Sequence, residues 1–227
     1  GSVPQQQFQP TQGGPGGFNH LYSPTTPGHL QPVFGLWANQ AVRPLTLVNK
    51  GSGDSIDLVR THTQLDVLVG LGIGERFQLG VALPVTPFIT EGPDGFFETP
   101  DIGGFGLGDL RIGGSWHILG DGTGFDLGLA GLLSLPTGDE TRYLGNTGLT
   151  VEPRLMAALH PLEALTLGAN LGFVLRPDED VLSASNVPLI TVGNEVVYGL
   201  GAVYGLSSDL DLIGEAYGRV GIGDATD

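Results

Sequence analysis

Residues Gly106–Asp139 read GLGDLRIGGSWHIL, then GDGTG, then FDLGLAGLLSLPTGD. Taken in twos, Leu110, Ile112, Gly114, Trp116 and Ile118 share one parity, and Asp109, Arg111, Gly113, Ser115 and His117 share the other. After the glycine-rich turn, Phe125, Leu127, Leu129, Gly131, Leu133 and Leu135 alternate with Asp126, Gly128, Ala130, Leu132 and Ser134. Period-two alternation on both sides of a short glycine turn predicts a β-hairpin.

The same unit repeats outward in both directions. The alternation predicts nine strands, over 33–47, 57–71, 76–89, 107–119, 124–136, 148–160, 165–176, 190–204 and 210–222. Four connections are tight: Gly72–Glu75, Gly120–Thr123, Pro161–Ala164 and Leu206–Asp209. The intervening ones, 48–56, 90–106, 137–147 and 177–189, are longer and carry most of the loop acids. Strict alternation of short and long connections is the habit of an outer-membrane barrel, with tight turns at one rim and long loops at the other. The fold class expected is therefore all-β, an antiparallel up-and-down transmembrane β-barrel, with an even 10–12 strands when complete. A soluble β-sandwich has the same periodicity with its faces reversed, and periodicity alone leaves both open.

Charge placement bears on that choice. His62, Gln64 and Asp66 fall on one parity with Arg60, and Glu152, Arg154 and His160 lie opposite Val151, Leu155 and Leu159. A charge facing lipid costs several kcal/mol near the bilayer centre, whereas a narrow lumen holds charges in pairs. The expected lumen network is Arg60, Asp66, Asp109, Arg111, Glu152, Arg154, Glu195, Glu215 and Arg219. Trp116, Tyr198 and Tyr204 lie on the apolar parity, where aromatics form interfacial girdles. Asp94, Phe96, Phe97, Asp139, Arg142 and Tyr143 are the outward-loop candidates for partner binding.

Composition excludes several functions. Acids outnumber bases 24 to 9, a net charge of −15 that gives no footprint for nucleic acid. The chain contains no cysteine, so disulfides and thiolate chemistry are absent. No run reaches 18 apolar residues, which excludes a transmembrane helix and says nothing of spanning strands. Gly1-Ser2 reads as a remnant of cloning, and the chain is expected to be a mature piece of a longer protein. Residues 1–31, rich in Gln, Pro and Gly, form a flexible or plug-like N-terminal arm, and 32–227 form the barrel.

No constellation reads as catalytic. His20, His29, His62, His117 and His160 lack metal-ligand spacing. Asp109, Ser115 and His117 share a face, but residues two apart on a strand lie about 6–7 Å from one another. The glycines of 103–108 lack the lysine and helix of a phosphate loop. The acidic turns Asp121–Asp126 and Pro177–Asp180 read as solvated rather than calcium-binding. No cofactor and no metal are expected.

Gly106-Leu107-Gly108-Asp109-Leu110 and Leu135-Pro136-Thr137-Gly138-Asp139 resemble a group of bacterial outer-membrane barrels that includes the MetA-type phenol-degradation transporters. Phe34–Asn39, Arg43-Pro44-Leu45, Val151–Arg154, Ala169–Gly172 and Gly193-Asn194-Glu195 are more similar still to the N-terminal barrel of myxobacterial OmpA-family proteins. The resemblance spans about residues 30–222. It implies a non-enzymatic barrel in the cell outer membrane, surrounded by lipid. The mixed charges on the inner parity suggest a filled interior, so the function expected is a scaffold that binds a surface protein such as an adhesin, in cell-surface adhesion or outer-membrane exchange; the alternative is a channel for small hydrophobic or cationic solutes. In the OmpA family a peptidoglycan-binding domain follows the barrel, and these residues carry no such role.

Overall fold

The computed structural model describes residues 9–11, 17–48, 55–91, 103–139, 142, 144–177, 180–184 and 187–222. Among the described residues twelve strands form: β1 (Pro32–Val48), β2 (Ser55–Ile73), β3 (Phe77–Glu91), β4 (Gly106–Leu107), β5 (Leu110–Leu119), β6 (Phe125–Leu135), β7 (Thr150–Leu162), β8 (Leu165–Val174), β9 (Asp180–Ala184), β10 (Val187–Val192), β11 (Asn194–Ser207) and β12 (Leu210–Ile222). Nine of them pair antiparallel in chain order, β1-β2-β3-β5-β6-β7-β8-β11-β12, with β4 beside β3 and with β9 and β10 outside this sheet. The sheet curls into a half-barrel with the topology of an up-and-down barrel. Strands β1 and β12 are its edges, and among the described residues no pairing joins them.

The nine long strands coincide with those the alternation predicts, with two departures. The stretch expected as one strand over 107–119 is broken, because Gly108 donates to Pro84 O (2.9 Å) and leaves β4 on β3 while β5 starts at Leu110. The eighth strand begins at Asn194 rather than 190, and Val187–Val192 pairs instead with Asp180–Ala184 as a separate hairpin. The tight turns lie where they are expected. At Gly120 φ is +109°, and a Cβ there would lie 2.1 Å from Asp126 Oδ1, so only glycine fits that turn.

The two faces of the sheet settle its polarity. Phe34, Leu79, Leu129, Leu155, Leu171 and Leu200 point outward and are exposed, Leu200 by 66%. Asp66, Arg111, Asp126, Glu152, Arg154 and Arg176 face the concave side and are buried. A soluble sandwich buries its aliphatic parity, since unpaired burial of Asp, Glu and Arg is costly. This sheet does the reverse, and presents a broad apolar surface to its surroundings.

Candidate functional site: the filled concave side

The concave face of β7, β8, β11 and β12 is a stack of rungs fixed by the strand register. One rung runs Ala158, Gly168, Gly201, Glu215, and the next runs Met156, Asn170, Gly199, Tyr217. A third runs Arg154, Gly172, Val197, Arg219. Glycines in a strand leave room for close approach, and here the N-terminal arm takes that room. The Phe18 ring lies over Gly168 and Gly201, so close that a Cβ at either would come within 2.6 and 2.7 Å of its carbons. Phe18, Leu21 and Val203 form a small buried apolar cluster, with Leu21 resting near Gly199.

Polar contacts fix the arm in register with these rungs. The Glu215 carboxylate accepts the backbone N–H groups of Asn19 (3.2 Å), His20 (3.0 Å) and Leu21 (2.9 Å). Asn170 treats Tyr22 as a strand neighbour would, accepting its N–H at 2.7 Å and donating to its carbonyl at 2.8 Å. The His20 ring stacks on Tyr217 at 3.9 Å, and the Arg154 guanidinium sits 5.1 Å from the centre of the Tyr22 ring. Farther along, Thr26 donates to Glu75 O, Gly74 N–H donates to His29, and Leu30 donates to Gly72 O. The arm thus follows the concave face to the tight-turn rim and turns there into β1. A gap of about 10 Å³ remains beside His20 and Arg154. Another, beside Gln9, Thr150 and Arg176, holds about 30 Å³. The first has room for about one water and the second for about two.

The remaining charges are paired with one another. Arg111 reaches across β3 to Asp66, which also accepts from Gln64 (2.9 Å). Glu152 pairs with Arg154 on the same strand. Glu195 pairs with Arg176 at 2.8 Å and lies 3.8 Å from Arg219. Asp126 sits between His117 (3.0 Å) and His160 (3.1 Å) near the tight-turn rim. Among the described residues no group of His, Asp and Glu has the geometry to hold a metal.

Eight of the nine expected lumen residues face the concave side or its rim, though they do not form a single network. Glu215 holds the arm. Asp109 sits at the outward-loop rim, where it accepts from Gly138 N–H (2.9 Å), Asn146 N–H (2.7 Å) and Asn146 Nδ2 (2.9 Å) and ties that loop to β5. Burial pushes the Asp109 carboxyl up, against those donors. Arg60 is the correction. The β2–β3 register slips between Val59 and Thr61, so Val59 is fully buried and Arg60 is exposed. A bulge inserts one residue and reverses the parity beyond it.

The hydroxyl–imidazole–carboxylate set is not assembled, since His117 meets Asp126 rather than Asp109. Asp121 turns onto its own Thr123, whose N–H and hydroxyl hold that carboxyl below its usual range. Of the loop candidates, Asp139 and Arg142 pair with each other at 3.4 Å, and Arg142 also donates to Phe105 O. Asp94, Phe96, Phe97 and Tyr143 lie outside the described residues. The arm's anchors, Phe18, His20, Leu21 and Tyr22, were not legible as site residues. Their one signal is the run of glycines on the polar parity, which leaves space for another segment.

An antiparallel half-barrel with apolar outside, charged inside and its own arm laid along the concave face belongs to the class of barrel proteins rather than to the soluble β-domains. The chain is a member of the family described as "Putative MetA-pathway of phenol degradation", whose model matches residues 52–226. No curated protein and no solved structure matches it.

Proposed function

We propose that this chain is a non-enzymatic outer-membrane channel for small hydrophobic or cationic solutes, stoppered at rest by its own N-terminal arm. The observation that carries the reading is what fills the concave side. Strand side chains leave a glycine floor there, and a separate segment, which runs on into β1, occupies the space. A barrel meant to stay solid can fill itself from its strands, whereas a filler on its own stretch of backbone can leave. Outward apolar strands 10 to 19 residues long fit a hydrocarbon layer, and membership in the phenol-degradation family agrees with a transport role. Lipid is then the principal neighbour, and the net charge of −15 favours cations over anions at the mouth.

A second reading rests on the paired interior charges. Asp66–Arg111, Glu152–Arg154 and Glu195–Arg176 rigidify the wall, as suits a scaffold that presents its acidic loops to a surface protein. The likeness to myxobacterial OmpA-family barrels, with an adhesin as partner, belongs with this reading. Single-channel recording separates the two. The intact chain should be nearly silent in planar bilayers, and a variant carrying Phe18→Ser, Leu21→Ser and Tyr22→Ser should carry steady current. Silence from a variant whose arm has become accessible to protease would turn the reading to the scaffold.

A further inference from the structure

The arm's seat has a chemistry of its own. Gly168, Gly201 and Glu215 stand side by side on one rung, so a ring lying on the two glycines has a carboxylate about one strand spacing away, roughly 4.8 Å. Phe18 supplies the ring, and the peptide N–H groups that follow it supply donors to Glu215. Tyr217, two positions along β12, offers an aromatic face beside the same carboxylate and now stacks with His20.

We propose that this seat is a binding site for arylalkylammonium solutes, and that the arm closes it by placing Phe18 and its following N–H groups where the ring and the ammonium of such a solute go. The inference rests on the channel reading and names its solute class. When the arm lifts, Glu215 loses three donors in a half-enclosed interior, where a bare carboxylate is costly. An ammonium returns three N–H donors on one positive atom, and the Tyr217 face favours a cation further. Two glycines in register leave a flat slot that suits a ring and gives a plain alkyl chain little to stack on. Anionic aromatics meet the Glu215 carboxylate and are rejected.

The test uses the full chain in detergent, phenethylamine as the probe, and cleavage of the arm after Phe18 and Tyr22 as the readout. Phenethylamine should speed that cleavage by about tenfold at saturation, while phenylacetate and ethylamine leave it unchanged. Glu215→Gln should remove the phenethylamine increment over its own baseline. A second variant, Phe18→Ala, vacates the ring slot and keeps the backbone of the arm. It should bind phenethylamine about tenfold more tightly than the parent chain in equilibrium dialysis. Equal acceleration by phenylacetate, an undiminished response in Glu215→Gln, or no gain in Phe18→Ala would overturn the assignment. No current is measured in any arm of this test. A chain that binds the amine and never conducts therefore keeps the site and loses the channel, and one that conducts without binding does the opposite.

Discussion

Replacing Glu215 with alanine should release the arm while leaving the sheet folded. Three backbone N–H groups, of Asn19, His20 and Leu21, lose their acceptor in one substitution. Hydrogen bonds to a charged group contribute about 1.5–3 kcal/mol each. Water entering the vacated space recovers part of that, so a net loss of at least about 3 kcal/mol is expected, roughly 100-fold in the docked-to-free ratio of the arm. Limited proteolysis reads it directly, as cleavage around Phe18–Tyr22 that accelerates by that order. The strands should keep their heat-dependent gel mobility, because among the described residues the Glu215 carboxylate bonds the arm, and β12 pairs with β11 through backbone. Glu215→Gln retains one acceptor oxygen and should fall between the two. If Glu215→Ala is cleaved no faster than the parent, the apolar contacts of Phe18 and Leu21 hold the arm by themselves.

Arg111→Leu should be the most damaging single change to the wall. Asp66 is fully buried, and its charge partner approaches from two strands away. Removing one member of a buried pair leaves an uncompensated charge and costs about 3–5 kcal/mol. Gln64 still donates to Asp66, which softens the loss without neutralising the carboxylate. The midpoint temperature of the gel-mobility shift should therefore fall clearly in Arg111→Leu. It should recover most of the way in the double variant with Asp66→Leu, because two apolar side chains of similar volume replace a pair that is expensive to desolvate. A single variant as heat-resistant as the parent would mean that water reaches Asp66 and the pair contributes little.

The strands, their parities and the alternation of tight and long connections are legible because each is a local property of the chain. Alternation along 110–117 and 125–135 is enough to fix which residues share a face. What failed was local too, but invisible in residue type: the slip between Val59 and Thr61 reverses parity without any glycine or proline to mark it. Most of the hairpin of β9 and β10 falls within the loop expected over 177–189, and only its last residues, Ile190–Val192, are read into the eighth strand, because their β-branched composition continues it. The sequence also leaves open which face is buried, since a sandwich and a barrel share one pattern, and only the assembled sheet shows the charges inside.

The site was half legible for a different reason. Glu215 and Arg154 could be placed on the inner parity, but their partners in the arm lie 195 and 132 residues away in the chain for His20 and Tyr22. Much of that contact is made by backbone N–H groups, which carry no residue signature. Asn170 pairs with the backbone of Tyr22 in the same manner. Glycines 168, 199 and 201 signal that something must fill the space above them, and nothing in their spacing says what.

In the proposed channel the apolar face meets lipid and the charges face a lumen. The most direct test is to fold the purified chain with and without detergent, following circular dichroism and the difference in gel mobility between boiled and unboiled samples. A β-rich, heat-modifiable band should form only when detergent is present. A monodisperse, β-rich protein in plain buffer would contradict it, because the exposed Leu, Phe and Val of the outer face would then have found cover in water without a membrane.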